Sequence, residues 1–271
     1  IVGEYMGINI FKNEGSQLIR IENKLLDEIG WWNEIHITDL NNDGKEDIFI
    51  GGAHRQEAKI FLSNDNELIE KRNESFEIDS KNEDMESIFV DIDNDNDLDL
   101  YVVSGGNEFN NRSIELADRI YLNDGKGNFK RDTQEDLQNY TISGKTVTEI
   151  DYDNDGDSDI IIGNRIQTKK YPIHEPSIIY ENISGKFYNN TYNIAPEFEN
   201  FGIVNKVIKT DFNNDGWDDF IAVGEWTNIG LFLNENGKFR DISNESNLEN
   251  TYGLWFNVIE TDINNDGLND Y

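Results

Sequence analysis

The stretch Asp151-Tyr-Asp-Asn-Asp-Gly-Asp-Ser-Asp159 runs straight into Ile160-Ile-Ile-Gly163, and the same arrangement returns four more times. The other copies are Asp39-Leu-Asn-Asn-Asp-Gly-Lys-Glu-Asp47, Asp91-Ile-Asp-Asn-Asp-Asn-Asp-Leu-Asp99, Asp211-Phe-Asn-Asn-Asp-Gly-Trp-Asp-Asp219 and Asp262-Ile-Asn-Asn-Asp-Gly-Leu-Asn-Asp270. Positions 1, 3, 5 and 9 always carry an oxygen-bearing side chain, position 2 is always apolar, and position 6 is Gly in four of the five. Calcium takes roughly six to eight oxygen ligands at about 2.3–2.6 Å, which closely spaced carboxylates and amides on a turning loop supply. Position 6 must turn sharply, which Gly permits at positive φ and Asn96 tolerates.

The candidate ligands follow from these positions. They are Asp39, Asn41, Asp43 and Asp47; Asp91, Asp93, Asp95 and Asp99; Asp151, Asp153, Asp155 and Asp159; Asp211, Asn213, Asp215 and Asp219; and Asp262, Asn264, Asp266 and Asp270. Position 7 would offer its backbone carbonyl, which leaves its side chain free to vary, as it does through Lys45, Asp97, Asp157, Trp217 and Leu268. About one Ca2+ per loop, up to five, is the cofactor expectation. Plain polar turns are the competing explanation for one such loop. Five copies in one phase favour the metal.

The flanks exclude an EF-hand, which needs helices and a Glu at position 12. Here position 12 is Ile50, Val102, Ile162 or Ala222, inside short apolar runs that read as buried strands. Loop starts at 39, 91, 151, 211 and 262 give steps of 52, 60, 60 and 51 residues, a spacing of propeller blades or an array. An alternating strand precedes each loop, as in Val147-Thr-Glu-Ile-Asp151 or Asn257-Val-Ile-Glu-Thr-Asp262. A third strand ends in Asn, at Ile60 to Asn64, Ile120 to Asn123, Ile178 to Asn182 and Leu231 to Asn234. Gly127, Gly185 and Gly237 then open a short fourth strand near Phe129, Phe187 and Phe239.

Four strands per unit make the chain all-β: a β-propeller of four-stranded blades, with the cation loop between the first and second strand of each. Helical turns are expected only at Ser113 to Asp118 and Thr133 to Leu137. The blades are placed at 23–80, 81–140, 141–200 and 201–248, with partial blades at 1–22 and 249–271. In residues 1–22, Ile1 to Gly3, Ile8 to Asn13 and Leu18 to Ile21 read as second, third and fourth strands. Asp270-Tyr271 followed by Ile1-Val2-Gly3 would reproduce the pattern of Asp159 to Gly163, and Gly3-Glu-Tyr5 matches Gly224-Glu-Trp226. A five-bladed ring with one shared blade and a piece of a longer repeat protein both fit; the second is favoured.

Phased copies of Asp-φ-Asp/Asn-x-Asp-Gly-x-x-Asp-φ-φ-φ-Gly resemble the FG-GAP/VCBS repeats of the integrin α-subunit propeller and of Bacteroidota surface proteins. The resemblance covers essentially the whole chain. It implies a calcium-stabilised propeller on or beyond a bacterial cell surface, part of a larger chain or complex. Its ligand roles carry over to the Asp and Asn positions above, and no catalytic residue does. Asn at position 3 lowers the ligand charge of the first, fourth and fifth loops, which should bind more weakly.

Net charge is −32, and the five loops hold 21 acidic residues against one lysine. Such a surface opposes nucleic acid and anionic lipid, which need clustered Lys and Arg. No apolar run is long enough to insert into a membrane. There is no Cys, hence no disulfide or thiolate site. Calcium, millimolar outside cells, fills sites with Kd of roughly 10⁻⁴–10⁻³ M there and not in cytosol, which points to an extracellular or outer-surface location.

His36, His54 and His174 lack zinc spacing, and there is no nucleophile elbow, phosphate loop or dinucleotide fingerprint. Trp31, Trp32, Trp226 and Trp255 could stack on a partner, though packing between blades is the simpler role. The polar segment Asn107 to Arg119 is a candidate recognition loop, and the sequons at Asn73, Asn111, Asn139, Asn182, Asn189 and Asn244 are what so Asn-rich a chain produces by chance. The functional expectation is a binding or scaffold module for a protein or glycan at the cell surface. An accessory or catalytic domain of a polysaccharide lyase or hydrolase is the alternative.

Overall fold

A computed structural model describes residues 1–64 and 67–271. Four antiparallel sheets follow one another along the chain. The first comprises Gly30–Thr38, Asp47–Gly52, Lys59–Asn64 and Glu67–Lys71, with Glu4–Met6 added at its inner edge. The second is Asp84–Val90, Asp99–Ser104, Arg119–Leu122 and Lys130–Asp132. The third is Gly144–Ile150, Asp159–Asn164, Ile178–Ile183 and Lys186–Asn189. The fourth is Ile203–Thr210, Asp219–Thr227, Gly230–Asn234 and Phe239–Asp241, and the short Gly253–Leu254 pairs with its second strand.

Burial explains why the second strands are apolar without alternation. Asp47–Gly52, Asp99–Ser104 and Asp159–Asn164 are buried at every residue, because both of their faces are covered, by neighbouring sheets or, on one face of the first, by Ile8 and Leu26. Leu40, Phe49, Ile60, Leu100 and Tyr121 fill the space between the first and second sheets. Val103, Ile120, Val147, Ile162 and Tyr180 do so between the second and third, and Ile161, Ile179, Val207, Phe220 and Phe232 between the third and fourth. The first strands of successive sheets pack side by side, which makes the assembly propeller-like. At Gly163 a Cβ would lie 2.5 Å from both Thr146 Cγ2 and Val204 Cγ1, so the Gly that closes the apolar run is what lets the next first strand approach.

Several expectations change. Asn257 to Thr261 is not a strand: its one pairing is the bridge from Thr261 to Asp270. Alternation becomes a strand only when a neighbour pairs with it, and none does so along this segment among the described residues. Ile1 to Gly3 is likewise no strand, although Ile1 and Asn9 exchange two backbone hydrogen bonds, at 2.8 and 2.9 Å. The hairpin of Ile10–Asn13 with Leu18–Ile21 does form. No strand pairing joins residues 1–22 to residues 249–271 among the described residues.

Helical turns occur at Ile114–Leu116 and Glu135–Asn139 as expected, and also at Lys24–Leu26, Glu74–Asp79, Thr191–Ile194 and Pro196–Glu199, which were not. The last three lie between sheets and bury Phe76, Ile194 and Phe198. Among the described residues, no helix is long and apolar enough to cross a membrane.

Candidate metal centres

Each acidic loop leaves its sheet in one register. Thr38 pairs with Asp47, Val90 with Asp99, Ile150 with Asp159 and Thr210 with Asp219, so position 9 always faces the residue before position 1. Between these anchors the loop wraps its carboxylates around backbone N–H groups. Asp39 Oδ1 accepts from Asp43 N (3.2 Å) and its Oδ2 from Gly44 N (2.8 Å). The same two contacts recur at Asp91, Asp151, Asp211 and Asp262. Position 5 accepts from the N–H of position 7 in every loop. These bonds fix the direction of the oxygens before any ion enters.

A residue type that sequence reasoning passed over completes the turn. Position 4 is Asn in all five loops, and Asn42, Asn94, Asn154, Asn214 and Asn265 have φ of 59°, 61°, 58°, 56° and 60°. Asn is the side-chain-bearing residue that best tolerates the left-handed region. Two left-handed residues per loop, at positions 4 and 6, give the curl. The fivefold recurrence of Asn at position 4 was the available signal.

The loops differ in what they bring together. Carboxylate oxygens of Asp91, Asp93 and Asp99 lie within 4.8 Å of one another, and so do those of Asp151, Asp153 and Asp159. That spacing fits oxygens sharing one cation with bonds of about 2.3–2.6 Å. In the fourth loop Asn213 Nδ2 instead donates to Asp215 Oδ2 at 2.7 Å. Burial, reinforced by neighbouring carboxylates, pushes Asp97 up to about 6, Asp99 to about 7 and Asp159 to about 8. Buried negative charge without a counter-charge is the physical demand for a cation.

Position 7 is less free than expected. The Asp97 side chain is buried and its Oδ1 has no hydrogen-bond partner, while Asp157 Oδ1 accepts from Asn94 Nδ2 of the preceding loop at 2.5 Å. An orphaned buried carboxylate oxygen inside the second loop is where a cation fits.

Position 9 has a second role that spacing alone did not show. Asp159 Oδ2 accepts from Tyr152 N at 3.2 Å and Oδ1 from Asn182 N at 2.8 Å, clipping the loop to the third strand. Asp99 and Asp219 hold Ile92 with Asn123, and Phe212 with Asn234, in the same way. The Asn that ends the third strand then reaches across sheets: Asn182 Nδ2 donates to Ser158 O of its own loop and to Ile92 O of the preceding one. Asn123 and Asn234 repeat this with Leu98 and Leu40, and with Asp218 and Tyr152. In the first sheet the equivalent residue is Ser63, whose hydroxyl donates to Glu46 O and, among the described residues, does not reach a neighbouring sheet.

This repeated loop, clip and cross-sheet Asn decide the family. The model of the FG-GAP-like repeat matches residues 39–102, 91–162 and 211–271, well over half of the chain, and each match spans two consecutive loops. The chain belongs to the FG-GAP-like repeat family. No curated protein matches it. Among solved structures, the FG-GAP chain is similar to a lectin of Agrocybe aegerita, described in a study of specific recognition of non-reducing terminal N-acetylglucosamine. The TM-score is 0.55 at 15% identity, over 88% of this chain and 60% of the lectin's. The FG-GAP chain thus spans less than two thirds of that lectin's length, and the likeness is one of fold.

Other singled-out residues fall away from the loops. His36 packs edge-on against Phe89, and His54 against Phe109 while its Nδ1 lies 2.7 Å from Lys81 O. Only Trp32 is core, donating to Met6 O at 3.1 Å, whereas Trp31, Trp226 and Trp255 are part-exposed. The Asn107 to Arg119 segment is tied to the next sheet's long connection through Asn107 Oδ1, which accepts from Lys169 N at 2.6 Å, and through Arg112 with Glu175 at 2.8 Å.

Proposed function

We propose that the protein is a calcium-stabilised, propeller-like binding module that works outside the cytoplasm and engages a glycan or protein partner. The observation that carries the calcium reading is the convergence of three carboxylates in each of the second and third loops, beside the orphaned Asp97 oxygen. Asp91, Asp93, Asp97 and Asp99 would hold one ion and Asp151, Asp153 and Asp159 another, with Asp95 and Asp155 at position 5 completing each set. The other three loops would hold up to three more. The ion supplies positive charge between strands whose acids otherwise repel.

Each filled site would add RT ln(1+[Ca]/Kd), about 1.4 kcal/mol at tenfold Kd. The extracellular reading requires sites that fill only near millimolar calcium, which would keep the module folded outside cells. The fold shared with a glycan-recognising lectin makes glycans the first partner class to screen.

Calcium titration calorimetry, with melting in calcium and in chelator, tests the first half. Binding with a large rise in melting temperature supports the reading, and no binding with unchanged melting makes the loops plain turns. A glycan array probed with calcium-loaded protein tests the second half.

A further inference from the structure

The chain contains one local structure twice, at the end of the strands opposite the acidic loops. In Gly224-Glu225-Trp226, Glu225 pairs with Leu254 and Thr227 with Gly253, leaving Trp226 bulged at φ 59°. In Gly3-Glu4-Tyr5, Glu4 pairs with Trp31 and Met6 with Gly30, leaving Tyr5 bulged at φ 56°. Bulky aromatics rarely adopt that region, and a bulge re-aims the side chain it carries.

The two copies differ in charge compensation. At Glu225 the chain provides its own cation: Arg165 Nη2 donates to Glu225 Oε1 at 2.6 Å and Tyr171 OH to Oε2 at 3.1 Å, with Trp226 Nε1 on the Tyr171 hydroxyl at 2.6 Å. A guanidinium thus pairs with one oxygen of this acid while the two aromatic residues are tied to its other oxygen. Beside Glu4 no Lys or Arg lines the equivalent place among the described residues, and Glu83 and Glu108 lie there with it.

An open cavity of about 320 Å3 occupies that place, lined by Glu4, Tyr5, Trp31, His54, Glu83 and Glu108. Tyr5 and Trp31 meet edge to face at 5.2 Å and form a corner of two exposed rings. Glu83 and Glu108 converge over Gly106, where a Cβ would come within 2.4 Å of Glu83 Oε2 and 2.8 Å of Glu108 Oε2; φ there is 102°. Burial together with the neighbouring Glu108 carboxyl pushes Glu83 up to about 7. Among the described residues, no Lys or Arg lines the cavity or makes an ion pair with Glu4, Glu83 or Glu108, although Lys145 lies within electrostatic reach of Glu83.

We propose that this cavity binds an organic cation, an ammonium or guanidinium head group, held against the Tyr5 and Trp31 rings and neutralised by Glu4, Glu83 and Glu108. Aromatic faces attract such groups electrostatically, and removal from water strengthens the attraction. A pair of rings inclined at 70° suits a compact head group better than a flat sugar ring. The same chemistry can come from a free amine or from a basic side chain of a protein partner. The proposal rests on the binding-module reading and names its ligand; it is independent of the calcium loops.

The test is isothermal titration of the calcium-loaded chain with cadaverine, with a tri-lysine peptide and with N-acetylglucosamine. Binding of the peptide alone assigns the site to a presented side chain, and equal binding of cadaverine to a free amine; either supports the proposal. Trp31→Ala and Glu108→Gln should each weaken cation binding by roughly tenfold. Both alter part-exposed residues, and unchanged melting curves would show that the fold is kept. Glu197→Gln removes the same charge away from the cavity and should change nothing.

Absence of cation binding overturns the proposal. So does an equal loss in Glu197→Gln, which would mean diffuse attraction to a chain of net charge −32, or displacement of the cation by N-acetylglucosamine. If cations fail while the glycan array finds a ligand, the proposal falls and the binding-module reading stands.

Discussion

The second and third loops and the fifth share one formula and sit in opposite surroundings. Asp99 and Asp159 are buried, each oxygen committed to a backbone N–H on a different segment. Asp270 has the same place in its loop, but its carboxylate accepts from Ile263 N at 2.9 Å and from no second backbone N–H among the described residues, and it lies in a segment exposed almost throughout. The curl of the loop is therefore local, written in its own nine residues. The buried carboxylate triad is tertiary and needs a third strand and an adjoining sheet.

Substitution at position 9 should separate the two cases most strongly. Asp159→Ala leaves two buried N–H groups without an acceptor, at a cost of roughly 3 kcal/mol or more in chelator. Asp270→Ala should cost less than about 1 kcal/mol, since one part-exposed bond is lost. Urea unfolding of both variants decides it; equal midpoint shifts would mean that the clip contributes nothing beyond the loop itself.

Ligand charge sharpens the comparison next. Loops with Asp93 or Asp153 at position 3 should fill at lower calcium than those with Asn41, Asn213 or Asn264. Asp93→Asn and Asp153→Asn should each move one site from the tight class to the weak one, and Asn213→Asp should do the reverse. A titration in which all sites fill together, before and after these exchanges, would refute the ranking.

The pH dependence follows from the same carboxylates. In chelator, Asp219, Asp99 and Asp159 have native pKa values raised to about 6, 7 and 8 by burial. A raised native pKa means that the folded state holds its proton after the unfolded chain has lost it, so stability falls as pH rises between about 4 and 8. Metal-free protein should therefore melt lower at pH 8 than at pH 5, and saturating calcium should remove or invert that slope. A rising slope in chelator would show that these acids are not buried as described.

Much of this was legible in the sequence because the repeats put equivalent residues in register. Apolar runs such as Ile160 to Ile162 could only be strands buried on both faces, and the Asn ending each third strand stood out before its purpose was known. That purpose, Asn182 bridging Ile92 O and Ser158 O, required knowing which loop lies beside which. Position 7 looked variable because it was compared along the chain, whereas Asp157 answers to Asn94 on the neighbouring loop. Asn257 to Thr261 misled for the converse reason: its alternation is genuine, but a strand needs a partner as well as a pattern.

The smallest expected effect isolates the local half of the comparison. Asn154 sits at φ 58°, where Gly is at ease and Ala is penalised by its Cβ. Asn154→Gly should therefore be nearly neutral, and Asn154→Ala should cost about 1 kcal/mol, through backbone conformation alone. Because the curl is local, Asn265→Ala in the exposed fifth loop should cost that loop's ordering a similar amount, even though Asp270→Ala costs far less than Asp159→Ala. Hydrogen exchange at the Gly156 and Gly267 amides, both held by position-1 carboxylates, reads the two loops separately. Similar accelerations would show that the turn is autonomous. Acceleration in the third loop only would show that even the curl depends on the sheets around it.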